Sequence, residues 1–266
     1  MQFEPYVHRH LDWRTPLQML GDADPYLILE KKRRVMAALV CPSDPHPIAW
    51  VRMFGTVGGL RPETAWGALW EVARERLIEL QAEQVASVVT ESWYGRVLSN
   101  SGFEHNHDIV VMAWDHKHTH PIIPPHEGIV RELTQDDFDT VFGIDWNAFS
   151  PLWQNSRVSL QAAYDQSNIC TVYEENHRIL GYQISTPAPL GGHLARLAVH
   201  PDAQGQGIGY LLVQDLLDRF RQQGALRVTV NTQSDNYASL ALYKKAKFQQ
   251  IDRPIPVYEH KLPAGF

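Results

Sequence analysis

Apolar positions along the chain follow two rhythms, and the same succession of rhythms occurs twice. Between Tyr26 and Phe54 three short runs rich in β-branched and aromatic residues, "YLILE", "RVMAALVC" and "IAWVRMF", predict strands. In "TAWGALWEVARERLIELQ" the apolar positions return every third or fourth residue, which predicts a helix with one face on a core. A strand, "VASVVT", and a closing strand, "DIVVMAW", follow. Beyond residue 128 the order returns: strands "ICTVYE", "RILGYQIS" and "HLARLAVH", the helix "IGYLLVQDLLDRFRQQ", the strand "RVTVNT" and the closing run "PVYEHKL". The short segments before the closing runs also correspond, "YGRVLSNSGF" ending at Phe103 and "SLALYKKAKF" at Phe248. Duplication of one α/β (α+β) unit is the simplest account.

Between the halves, "DHKHTHPIIPPHEG" is rich in Pro and His and has no hydrophobic period. The expected organisation is therefore a domain over residues 1–115, a linker over 116–127 and a domain over 128–266. The alternating His116, His118 and His120 are read as part of a solvated linker, and no metal is assigned.

Composition narrows the partners. Apolar residues make up 44% and charged residues 20%, ordinary for a protein with a sizeable core. A net charge of −6 supplies no overall basic field for nucleic acid or an anionic membrane, so neither is expected as a partner. No stretch has the character of a signal peptide or the length of an apolar membrane span, and a cytoplasmic location is expected. Cys41 and Cys170 lie far apart and form no C-x-x-C pair; both are read as core thiols.

The candidate chemistry lies where the third strand of the second half meets its helix. There "QGQGIG", Gln204 to Gly209, carries Gly205, Gly207 and Gly209. Bare positions permit positive φ and let a ligand approach successive main-chain N–H groups at a helix N-terminus, where the dipole favours an anion such as a pyrophosphate. The spacing matches neither a P-loop nor the dinucleotide G-x-G-x-x-G. A glycine-tuned turn with no ligand explains the same residues.

In context, "LARLAVHPDAQGQGIG" resembles motif A of the GCN5-related N-acetyltransferases (GNAT), Q/R-x-x-G-x-G/A, through Gln204, Gly207 and Gly209. "NTQSDNYASLALYKKAKF" is similar to the motif that follows in that family. The resemblance covers residues 128–266 well and the first half only through its order of elements. It implies two tandem GNAT-type domains, each with a mixed, mostly antiparallel sheet flanked by helices, the first degenerate and the second catalytic. It implies acetyl-CoA as co-substrate and an amine, small molecule or peptide, as acceptor. Leu197 and Val199 would pair with the pantetheine amides. The amides of Gln204, Gly205, Gln206, Gly207, Ile208 and Gly209 would receive the pyrophosphate, with Asn236 also on the cofactor side. Tyr243 stands at the family's general-acid position, and His193 is the candidate base. A homodimer is compatible with this reading. The alternative is a non-catalytic acyl-CoA-binding or regulatory protein with the same cradle.

The bland readings stay beside these: Tyr243 as a core residue of an apolar helix, and His193 as an idle strand-start histidine. Five residues before the matching phenylalanines, the first half has Leu98 where the second has Tyr243. Where the second half has its glycine turn, the first has Gly58 and Gly59 followed by Pro62 and Glu63, which remove a donor and add negative charge. Lys247, where the first half has Gly102, is expected to take a positive φ with mild strain. In "IDWNAFSPLWQNS", Asp145, Trp146, Phe149 and Trp153 supply aromatic surface and one carboxylate for an amine, or else pack a core face.

Overall fold

The computed structural model describes residues 6–11, 13–117 and 126–263. His118 and His120 lie outside the described residues. The chain runs through β1 (Tyr6–Arg9), α1 (Pro16–Met19), β2 (Tyr26–Lys31), β3 (Arg34–Val40), β4 (Ile48–Trp50), β5 (Met53–Thr56), α2 (Pro62–Glu79), β6 (Gln84–Val88), α3 (Ser92–Ser99) and β7 (Glu104–Asp115). It continues through β8 (Ile129–Glu132), α4 (Phe138–Ala148), α5 (Arg157–Asp165), β9 (Ile169–Glu175), β10 (Arg178–Ala188), β11 (Gly191–Val199), α6 (Ile208–Gln222), β12 (Arg227–Gln233), α7 (Tyr237–Lys245), β13 (Gln249–Gln250) and β14 (Ile255–Lys261). Among the described residues no helix is long and apolar enough to cross a membrane.

Two compact units result, and they cut across the sequence halves. The first comprises residues 1–108 with 255–266, the second residues 109–254. The closing strands are exchanged. Residues 109–115, the closing run of the first half, pair antiparallel with β12 of the second unit, Ile109 opposite Gln233 and Asp115 opposite Arg227. The final strand β14 pairs antiparallel with β6 of the first unit, Val257 opposite Val88 and Lys261 opposite Gln84. The boundary expected at 115 and the domain expected over 128–266 therefore do not coincide with the compact units. The two runs have the same half-buried pattern, and a strand's pattern states which face is buried without stating which neighbour it joins.

In the first unit α2 lies against β2, β3 and β5. Ala65, Trp66, Leu69, Trp70, Ala73 and Leu77, at helical spacing, are buried in a core with Leu39, Phe54, Tyr94 and Phe103. The run "IAWVRMF", expected as one strand, is broken at Val51 and Arg52: β4 pairs parallel with β6, whereas β5 pairs antiparallel with β3. Strand β1, not anticipated from the sequence, pairs with β5.

The second unit is a mixed sheet in the order β7 (residues 109–115), β12, β11, β10, β9, β8. Only the β11–β12 pairing in it is parallel. Helix α6 buries Tyr210, Val213, Leu216, Leu217 and Phe220 against Leu194, Val228 and Val230. Cys41 is buried as expected, whereas Cys170 is only half-buried at the start of β9, its thiol directed at Ser167 Oγ 2.8 Å away.

The buried His8 on β1 stacks on Tyr94 at 4.1 Å, and burial pushes its ring down to about 4. A folded value below the unfolded one near 6.5 means that the neutral ring stabilises the fold above pH 6.5. That contribution drains away as pH falls from about 6.5 toward 4. Urea midpoints are expected to fall over this interval, and to fall less in His8→Phe, which keeps the stacking and does not titrate.

Candidate active site

The site is built around a sheet that opens in its middle. Strands β11 and β12 pair in parallel from Gly191 opposite Arg227 to Leu194 opposite Val230, and there the pairing ends. At the same place β11 carries an extra residue: Leu194 faces Ser185 of β10 and Arg196 faces Ile184, leaving Ala195 as a bulge. Beyond it β11 holds only to β10. The His200 N–H donates to Leu180 O at 2.8 Å, so alternation along the strand turns the main-chain groups of Val199 and Leu197 to the other edge, into the opening. The Val199 carbonyl is met there by Nε2 of Gln204 at 3.1 Å.

The glycine turn follows a short 3₁₀ segment, Pro201–Ala203. Gly205 and Gly207 have φ of +79° and +88°, and a Cβ at either would meet no atom within 4 Å. Backbone conformation, and an open face above it, are what these positions need. Gly209 has no such need, since a Cβ there would make ordinary contacts at 3.7 Å with Leu242 and Val199. Gly207 is the N-cap of α6 and supplies no side-chain cap, which leaves first-turn N–H groups for an anion. Gln206 is exposed, its Nε2 3.4 Å from Asp202 O. In the first unit the equivalent helix start is Arg61, Pro62 and Glu63, as the sequence indicates.

A cavity of about 70 Å³ fills the opening, lined by Leu194–Leu197 of β11, Val230–Gln233 of β12, Phe149, and Asn236, Ser239 and Tyr243 of α7. Tyr243 is 4% exposed and packs on Phe248. Burial raises its phenol far above the ordinary value, so the hydroxyl keeps its proton at neutral pH. The Asn236 side chain caps α7 by accepting from Ser239 N–H at 3.1 Å and donates to Gln233 Oε1 at 3.2 Å. Its amide is therefore engaged within the protein, though it borders the cavity. Lys247 takes φ +71°, as expected.

His193 is not brought to this cavity. It sits on the paired part of β11, with Nδ1 2.8 Å from Thr229 Oγ1, and burial lowers its pKa. Among the described lining residues none is Asp, Glu or His.

Asp145 corrects the sequence expectation of a carboxylate offered to an amine. Fully buried on α4, it takes Arg196 Nε and Nη2 at 2.6 and 2.9 Å and a hydrogen bond from the Tyr182 hydroxyl. Arg196 also donates to Trp153 O at 2.9 Å, and its guanidinium carbon lies 3.5 Å from the Phe149 ring centre. Arg196 thus borders the cavity with its charge neutralised from behind. Sequence reasoning passed over it. A lone Arg in an otherwise apolar strand beside a lone Asp among aromatics was the available signal.

An uncapped glycine-initiated helix, a strand edge freed from its neighbour and a buried phenol thus lie around one opening in the sheet. Residues 138–248 match the model of the acetyltransferase (GNAT) family. The ribosomal protein bS18-alanine N-acetyltransferase of Haemophilus influenzae is 24% identical over 124 residues, 47% of this chain and 83% of that protein. Two solved structures share the fold at 15% identity. A GCN5-related N-acetyltransferase from Sphaerobacter thermophilus has a TM-score of 0.64, covering 88% of this chain and 79% of its own. A tandem GNAT protein from the clavulanic acid biosynthesis pathway has a TM-score of 0.60, covering 89% and 82%. Residues 138–248 thus carry the GNAT family pattern, and the curated relative this region is similar to is an N-acetyltransferase.

Removing one partner of a buried pair leaves the other charge uncompensated. Asp145→Ala is expected to cost about 3–5 kcal/mol in urea denaturation.

Proposed function

We propose that the second unit transfers an acetyl group from acetyl-CoA to an amine. The observation that carries this reading is the freed edge of β11 beside the uncapped start of α6, with the Tyr243-lined cavity between β11 and α7. The pantetheine amides pair with the main chain at Leu197 and Val199 as an added strand would. The pyrophosphate takes N–H groups from the turn Gln204–Gly209. Attack of the amine on the thioester carbonyl places negative charge on its oxygen, to which the Val199 N–H donates. As the C–S bond breaks, the sulfur takes the Tyr243 hydroxyl proton, and the proton shed by the acylated nitrogen returns to the phenolate, directly or through water.

The cavity lining favours an acceptor that sheds its proton easily. An alkyl ammonium with a pKa near 10 is neutral in about one molecule in a thousand at pH 7, but an α-amine with a pKa near 8 in about one in ten. With no Asp, Glu or His among the described lining residues, an α-amine, as at a peptide N-terminus, suits this site better than a lysine-like amine. The Haemophilus relative, named for an alanine of a ribosomal protein, makes peptide α-amines the first acceptors to screen.

In titration calorimetry, Gly207→Glu is expected to abolish acetyl-CoA binding, because it sets a carboxylate at the uncapped helix start; undiminished binding would remove the turn from the site. Tyr243→Phe is expected to lower kcat by about 10²-fold or more with CoA affinity nearly unchanged, and a single-turnover rate equal to that of the parent would exclude the phenol. Binding with no turnover on any amine would support the non-catalytic reading instead. His193→Ala, away from the lining, is expected to cost less than about tenfold, below the range of a general base.

A further inference from the structure

The first unit has the same opening, and it is filled. Strand β4 pairs parallel with β6 from Ile48 opposite Gln84 to Trp50 opposite Ala86. Past Val51 and Arg52 the chain leaves β6, and β5 pairs with β3, just as β11 leaves β12 and stays with β10. In the second unit the freed strand edge borders a cavity whose far wall is α7. In the first, the freed edge of β5 carries β1, with Tyr6 opposite Thr56 and Arg9 opposite Met53. The pairing is prolonged by the His10 N–H, which donates to Arg52 O at 3.0 Å.

The side chains of β1 also occupy the counterpart of the cavity. His8 stacks on Tyr94 of α3 at 4.1 Å, and Tyr6 sets its ring against Trp93 at 5.3 Å. Counting back nine residues from Phe103 and from Phe248 matches Tyr94 to Ser239, a residue lining the second unit's cavity. His8 is 1% exposed, so the place is closed as well as occupied.

We propose that Tyr6–Arg9 is a built-in ligand of the first unit: a strand of the chain itself, seated where the second unit takes an extended ligand. A tethered strand competes at an effective concentration on the order of millimolar, which a dilute free ligand does not displace. Main-chain pairing supplies its affinity, and the His8 ring fills the pocket. The seating stands on the structure alone. Its corollary, one acetyl-CoA per chain instead of two, rests on the function proposed above.

Amide hydrogen exchange on the intact chain, with and without saturating acetyl-CoA, tests the proposal. The segment 53–56 is expected to be protected before any ligand is added and to stay unchanged with it, while calorimetry counts one site. Fast exchange at 53–56 in the free chain, or protection gained there only with acetyl-CoA, would overturn the proposal. Failure of acetyl-CoA to bind at all would strike the proposed function and leave the exchange in the free chain to decide the seating. A chain lacking residues 1–11 is expected to melt at a lower temperature, with a synthetic peptide of residues 1–12 restoring the midpoint and its His8→Asp form failing to do so. An unshifted midpoint on truncation, or no rescue by the parent peptide, would count against the strand. If the shortened chain does not fold, exchange on the intact chain decides alone.

Discussion

A sheet opened between two strands exposes main-chain N–H and C=O groups that must find partners, and this requirement governs both halves of the molecule. The opening begins where a parallel pair ends, at Leu194 in the second unit and at Trp50 in the first. In the second unit a bulge at Ala195 marks the point, and Gln204 satisfies the carbonyl of Val199. In the first, a strand lies along the whole freed edge of β5. One repeated framework thus carries two solutions to the same hydrogen-bonding demand, a single side chain at one freed edge and a whole strand at the other.

The buried ion pair is the second fixed point. Asp145 on α4 and Arg196 just past the bulge tie the helix layer to the strand at the place where the strand turns away from its neighbour. A buried pair adds little net stability over an apolar one, but its geometry is specific. The guanidinium plane, held by two carboxylate oxygens and by Trp153 O, gives Phe149 a rigid surface to lie on. One wall of the cavity is set in this way by electrostatics, while the opposite wall, around Tyr243, is set by packing.

What the sequence disclosed was local chemistry. The turn Gln204–Gly209, the helix behind it and Tyr243 are legible because their signals lie within a few residues of one another. The positive φ of Lys247 is legible by comparison with Gly102 at the matching position. Relations through space were not. The partner of Asp145 lies 51 residues away. Strand β1 is four residues long and half of it is His and Arg, too short and too polar for a strand pattern. "IAWVRMF" is uniformly apolar on either side of Arg52, so nothing local marks where it changes partners. Trp146, Phe149 and Trp153 stand three and four residues apart, a helical spacing, yet α4 ends at Ala148 and Trp153 belongs to a separate 3₁₀ turn.

The exchanged closing strands bear on how such a chain is made. During synthesis the second unit inherits residues 109–115 early, whereas the first unit waits for β14, whose pairing with β6 joins Val88 to Val257. At about 5–20 residues per second, the ribosome takes on the order of ten to thirty seconds to supply that strand. Over that interval β6 exposes one edge, the circumstance in which chaperones and aggregation compete for a nascent sheet. Neither half of the sequence encodes a complete unit by itself, so the first unit cannot be completed until nearly the whole chain has been made.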